Sequence, residues 1–176
     1  ATPLYGIDMK SGAQGWTVGE YGAIRHTADG SWWTPQTSPV STVLWSTSFV
    51  NELHGYAAGG SGVLLRTTDG GGTWTPGFTG TTRNVYAAGG ASVSQAHAIG
   101  DTGLVLYSAD GGATWSPAFA KTTYDLFTLH VASDTVAWAG GDNGTILRKG
   151  TPRIEPTGLA VAPAMEMPEG AVLDQN

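Results

Sequence analysis

Thr67-Thr-Asp69-Gly-Gly71-Gly-Thr73-Trp74 recurs 41 residues later as Ser108-Ala-Asp110-Gly-Gly112-Ala-Thr114-Trp115, and a shortened copy, Thr27-Ala-Asp29-Gly-Ser31-Trp32-Trp33, precedes it by 40. A fixed period of this length marks a repeat protein, in which each unit buries its faces only against its neighbours. The repeat extends outward from the turn. Gly15-Trp-Thr-Val-Gly19, Gly55-Tyr-Ala-Ala-Gly59, Ala96-His-Ala-Ile-Gly100 and Ala137-Trp-Ala-Gly140-Gly141 align, followed by Gly22, Gly62, Gly103 and Gly144 at steps of 40, 41 and 41. The chain therefore holds four units, and the fourth lacks the Asp turn, with Arg148-Lys-Gly150-Thr-Pro152 in its place.

Each unit reads as four short strands. In the second, Val43–Val50, His54–Gly59 and Gly62–Thr67 are rich in β-branched, aromatic and small residues, and Trp74–Phe78 suits an outer strand that tolerates Pro76. Glu20-Tyr-Gly22, Gly60-Ser-Gly62, Asp101-Thr-Gly103 and Asp142-Asn-Gly144 are hairpin turns of the primed kind, whose positive φ favours Gly, Asn and Asp. No window shows a helical apolar period. Four antiparallel strands per unit of about 40 residues is the arithmetic of a propeller blade. The expectation is an all-β, small β-propeller-like repeat of four blades over residues 1–150, either closed or a half-propeller. A Pro/Ala-rich acidic tail follows over 151–176, extended and suited to docking on a partner; alternatively Arg153-Ile-Glu supplies the missing outer strand of the fourth unit.

Composition narrows the chemistry. The net charge of −6 and the lack of a basic stripe argue against nucleic acid. Cysteine is absent, so neither disulfides nor thiolate chemistry arise. No apolar run is long enough to span a membrane. His26, His54, His97 and His130 show no ligand spacing, so no metal site is expected, and no cofactor signature is present. Within the Asp turn, the carboxylate of Asp29, Asp69 or Asp110 accepts bonds from the turn backbone, and Trp74 or Trp115 packs back over the strands. These are structural roles, not those of catalytic acids.

Ser/Thr-x-Asp-x-Gly-x-Thr-Trp resembles the Asp-box of BNR-type repeats, and the longer phrase Gly62–Trp74 preceded by Gly55–Gly59 is similar to the photosystem II stability and assembly factor family of propellers. The resemblance implies a seven-bladed relative and a non-catalytic protein-binding role: an assembly factor or accessory subunit of a photosynthetic membrane complex, in the periplasm or thylakoid lumen. It also implies a basic patch at the ends of the third strands, which in this chain are His26, Arg66, Tyr107 and Arg148. Those four are the expected protein-binding residues. The alternatives are a carbohydrate-binding module, which the seven tryptophans permit although Trp16, Trp45 and Trp138 fall at expected core strand positions, and a sialidase-like glycosidase. The latter would need an arginine triad and a tyrosine–glutamate pair that no recognisable spacing supplies, so no catalytic residue is assigned.

Overall fold

The computed structural model describes residues 2–150 and 172–175. Its strands fall into four antiparallel units. Unit 1 comprises β1 (Leu4–Met9), β2 (Gly15–Gly19), β3 (Ile24–Thr27) and β4 (Thr34–Pro35); unit 2 comprises β5 (Leu44–Phe49), β6 (Gly55–Gly59), β7 (Leu64–Thr67) and β8 (Thr75–Pro76). Unit 3 is β9 (Val85–Gly89), β10 (Ala96–Gly100), β11 (Leu104–Ser108) and β12 (Ser116–Ala120). Unit 4 is β13 (Leu126–Ser133), β14 (Val136–Gly141) and β15 (Ile146–Lys149), and its fourth strand is β16 (Val172–Gln175), the far end of the chain. These are propeller blades with the first strand innermost.

Strand β16 pairs antiparallel with β15 (Arg148↔Asp174) and parallel with β12 (Phe119↔Val172), so the outer edges of blades 3 and 4 share it. Of the expected tail, these four residues form a strand; Arg153-Ile-Glu and the rest of 151–171 lie outside the described residues.

Alternation along each strand sends successive side chains to opposite faces, and every face except the outer ones of blades 1 and 4 meets a neighbouring blade. Trp16, Val18 and Ile24 of blade 1 pack on Leu44, Ala57 and Leu65 of blade 2. Tyr56, Ala58 and Leu64 of blade 2 pack on Ala98, Leu104 and Leu106 of blade 3. Ile99 and Val105 of blade 3 pack on Leu126, Ala139 and Leu147 of blade 4. Small residues in the second strands let the sheets approach closely near the axis. The innermost strands pack in the order β1 on β5, β5 on β9 and β9 on β13, and no comparable packing among the described residues brings β13 back to β1. The arc is a half-propeller, not the closed ring that was the other expectation.

Each hairpin between the second and third strands has positive φ at both central residues. Tyr21, Ser61, Thr102 and Asn143 lie at φ between 50° and 57°, each followed by a positive-φ glycine. In three blades that glycine is wedged against the linker to the next blade: a side chain on Gly22, Gly62 or Gly103 would collide with the carbonyl oxygen of Val40, Thr81 or Thr122. At Gly144 the same position faces open space. The next blade also grips these turns. Asn84 Oδ1 accepts from the Ser61 N–H (3.1 Å), and Asp125 Oδ1 from the Thr102 N–H (2.6 Å).

The Asp-box tryptophans do more than cap their own hairpins. Trp74 is buried beside Trp16 and Phe49, and its indole N–H donates to Gln36 Oε1 of blade 1 at 3.0 Å. Trp16 in turn donates to the Gly70 carbonyl inside the box of blade 2 (2.9 Å). Trp115 sits edge-on to Tyr56 of blade 2, centroids 6.2 Å apart. The box thus wedges into the seam with the preceding blade.

Removing a buried indole leaves a void that the seam cannot close, so Trp115→Ala is expected to destabilise the chain by about 3–5 kcal/mol. Phe78→Ala, at a residue 74% exposed, should cost less than about 0.5 kcal/mol. Tyr21→Asn replaces an exposed residue strained in the left-handed region and should gain roughly 1 kcal/mol. Urea unfolding of the three variants measures all of these.

Candidate functional site

The four residues expected to bind protein occupy one register position. His26 lies opposite Trp16, Arg66 opposite Tyr56, Tyr107 opposite His97 and Arg148 opposite Trp138. All four are half-buried. Each stands opposite a ring in the neighbouring strand, and three of them lie against it. Trp16 and His26 have centroids 4.9 Å apart, His97 and Tyr107 5.2 Å, and the Arg148 guanidinium carbon lies 5.3 Å from the Trp138 ring centre. The Arg66 charge opposes the rise that burial imposes on the Tyr56 phenol. The first three line successive seams between blades, while Arg148 lies on the face of blade 4 that no described blade covers. Trp138, in a strand position the sequence suggests is core, is 40% exposed there for that reason, beside Ile146 at 53%.

The Asp boxes are self-satisfied. The Thr67 hydroxyl donates to Asp69 Oδ1 (2.8 Å) and accepts from Gly71 N–H, while Asp69 Oδ1 accepts from Thr73 N–H (2.8 Å). Ser108, Asp110, Gly112 and Thr114 repeat the pattern, and the Thr114 hydroxyl adds a 2.6 Å bond to Asp110 Oδ2. In the shortened box of blade 1, Asp29 Oδ1 accepts from the Ser31 and Trp32 N–H groups (2.8 Å each). These bonds favour the ionised form and hold all three carboxyls below the usual range, Asp110 at about 2, chiefly through Thr114. A carboxyl so held is a poor proton donor near neutrality.

Blade 4 replaces its box with a different lock. Lys149 stands where Thr27, Thr67 and Ser108 begin the boxes. Its ammonium reaches back across the seam to His97 Nε2 (3.0 Å), donates within its own blade to the Asp134 carbonyl (2.9 Å), and lies 5.2 Å over the Tyr107 ring. His97 is buried, and burial, then the Lys149 charge, depress its pKa to about 4. The neutral His97 ring accepts a hydrogen bond from the lysine ammonium at Nε2. Among the described residues, no three His, Asp or Glu side chains converge as a metal would require.

One constellation escaped the sequence reading. Each innermost strand carries a β-bulge next to an aromatic residue: Tyr5, Trp45, Tyr86 and Phe127. The rings form a row across all four blades, with successive centroids 5.2, 6.2 and 5.2 Å apart. The terminal rings are 49% and 43% exposed, and the middle two are half-buried. The Tyr5 hydroxyl donates to Glu20 Oε1 (2.7 Å), and a hydrogen bond to Asp101 raises the Tyr86 pKa. The signal was present as aromatics at steps of 40, 41 and 41. The bulges that turn those rings to a common line depend on strand pairing.

The outer face of blade 1 carries a groove of about 470 Å³ lined by Thr2, Leu4, Ile7, Thr17, Arg25 and Trp33. Its Trp33 is the box tryptophan of blade 1, with no described blade to wedge against.

The model of the family described as Photosynthesis system II assembly factor YCF48 matches residues 26–118, more than half of the chain. No curated protein gives a significant match. Among solved structures, YCF48 from Cyanidioschyzon merolae is similar with a TM-score of 0.65 and 20% identity, over 84% of this chain and 53% of that one. A YCF48 bound to D1 peptide is similar at a TM-score of 0.57 and 18% identity, over 84% and 63%. An ancestral GH74 enzyme is similar at 0.63 and 16%, over 82% of this chain and 24% of that one. The chain spans a little over half to three-fifths of the YCF48 structures' length, and these likenesses establish a shared propeller fold.

His97 sets an expected pH dependence for the seam between blades 3 and 4. The folded state holds its pKa at about 4 against an ordinary 6.5, so the fold favours the neutral ring. Its contribution is complete above about pH 6.5 and is lost as pH falls from there through 4, by on the order of 2–3 kcal/mol. Urea unfolding between pH 7 and 4 measures the loss. His97→Phe, which cannot titrate, should remove that part of the pH dependence whatever its stability at pH 7.

Proposed function

The chain belongs to the Photosynthesis system II assembly factor YCF48 family, and from that premise we propose that it is a non-catalytic propeller that binds a segment of a membrane protein complex as an assembly factor or accessory subunit. The observation that carries this reading is the repeated placement of His26, Arg66, Tyr107 and Arg148 opposite a ring at one register position in consecutive blades. A half-buried side chain seated on a ring loses little further freedom when it engages a partner, and Arg and Tyr are favoured at interface centres. A YCF48 structure that carries D1 peptide supports a polypeptide ligand and makes D1 the first candidate. Of the acidic segment 151–176, the stretch that precedes β16 extends the contact. The site of action is extracytoplasmic, in the periplasm or thylakoid lumen. Satisfied Asp-box carboxylates with depressed pKa values support a non-catalytic role. The resemblance to a GH74 enzyme is one of fold.

Labelled synthetic peptides covering the D1 sequence, titrated into the full chain and followed by fluorescence anisotropy, test the proposal. At least one peptide should bind, and Arg66→Ala combined with Arg148→Ala should weaken it tenfold or more with the melting curve little changed. Silence of every peptide, or binding indifferent to the double substitution, contradicts it.

A further inference from the structure

The ring row lies at the end of the arc opposite the Asp boxes, where the turns Glu20–Gly22, Gly60–Gly62, Asp101–Gly103 and Asp142–Gly144 emerge. We propose that this end binds an extended polypeptide segment carrying lysine or arginine at alternate positions, laid along Tyr5, Trp45, Tyr86 and Phe127. The site is separate from the register position of Arg66 and Arg148 and does not depend on the function proposed for it.

Three observations lead there. The first is spacing. Ring centroids step by 5.2–6.2 Å, and same-face residues of an extended chain recur about every 6.6 Å, two rises of roughly 3.3 Å. Alternate side chains of one strand therefore fall near successive rings.

The second is charge. Glu20, Asp101 and Asp142 begin three of the four turns, and Asp125 closes the linker into β13. Two of these carboxylates are drawn to the row by its own phenols, Glu20 by Tyr5 and Asp101 by Tyr86. The bases of the linkers at this end are Arg83 and Lys121. Arg83 is already turned into the 101–102 hairpin, donating to Thr102 Oγ1 at 2.8 Å and to the Asp101 and Thr102 carbonyls. Four carboxylates against two bases leave the row in a negative field. A cation over an aromatic face gains from the ring quadrupole and the carboxylates together.

The third is ring orientation. Neighbouring rings are inclined by 39°, 54° and 56°. A stack tilted in this way presents notches between rings, which admit side-chain stems, not the flat platform on which sugar rings stack. Rigid aromatics contribute contact area with little loss of freedom on binding.

The test uses the full chain and labelled decapeptides that alternate Lys with Thr or Glu with Thr, together with a β-glucan oligosaccharide, followed by anisotropy and calorimetry. The Lys/Thr peptide should bind, and more weakly as salt rises. Combining Tyr5→Ala with Phe127→Ala should weaken it about tenfold. Glu20→Gln with Asp142→Asn, which keeps every ring, should weaken it severalfold and flatten the salt dependence. Tyr5→Phe, which keeps the ring and removes the hydroxyl, should bind nearly as well as the parent if its fold is retained. Arg66→Ala should bind as the parent does, which separates this site from the D1 test. Absence of Lys/Thr binding overturns the proposal. So does binding indifferent to both the ring and charge substitutions, or a preference for the Glu/Thr peptide or the glycan.

Discussion

Wedging an Asp-box into the seam behind it is the constraint on which the rest of this molecule depends. A four-stranded blade has two faces and cannot bury both alone. The inner strands bring neighbouring sheets together near the axis, but blades splay toward the rim, and that widening gap must be filled. Trp74 and Trp115 fill it, and the box around each exists to hold an indole at the right depth. Gly71 and Gly112 complete the fit, because a side chain there would run into Gln36 or Tyr56 of the preceding blade. Sequence, turn, packing and blade order are linked through that contact.

Blade 4 shows what happens when the device is lost. Its box is gone, yet its seam still needs a tie, and Lys149 supplies one by reaching His97 across the gap. A neutral imidazole accepting from a lysine is a pH-dependent fastener where blades 2 and 3 have a pH-tolerant one. The outer edge is completed by β16, drawn from far along the chain. Blade 4 is therefore tied by a lysine–histidine pair and completed by a distant strand, where blade 2 is tied by indole hydrogen bonds and completed by a strand of its own unit.

This difference explains what could be read in the sequence. The 40–41-residue pitch, the Asp-box and the primed hairpins were legible because each is local chemistry: a carboxylate beside its own turn, a glycine where φ is positive. The equivalence of His26, Arg66, Tyr107 and Arg148 was legible because register follows from the repeat. Burial was not, since it depends on which blade covers which face; Trp138 reads as core and lies exposed. The direction of the Asp-box tryptophans was hidden for the same reason. The ring row needed four bulges and the pairing of β16 needed a contact across more than twenty residues, and neither leaves a short-range trace.

The two candidate surfaces differ in position. Side chains opposite rings at the ends of the third strands lie at one level of the arc, and the aromatic row with its carboxylates lies at the hairpin end. Both rely on blades held in a fixed order, so the seam wedge is the claim to test first. Amide hydrogen exchange at Gly71 and Gly112, whose N–H groups donate to Thr67 and Ser108 hydroxyls at 2.8 Å inside the wedge, reports on it directly. If the box is part of the seam, both amides exchange with the same opening free energy as the second strand of the preceding blade, β2 for Gly71 and β6 for Gly112. Exchange at the rate of an ordinary surface turn, while those strands stay protected, would contradict the account.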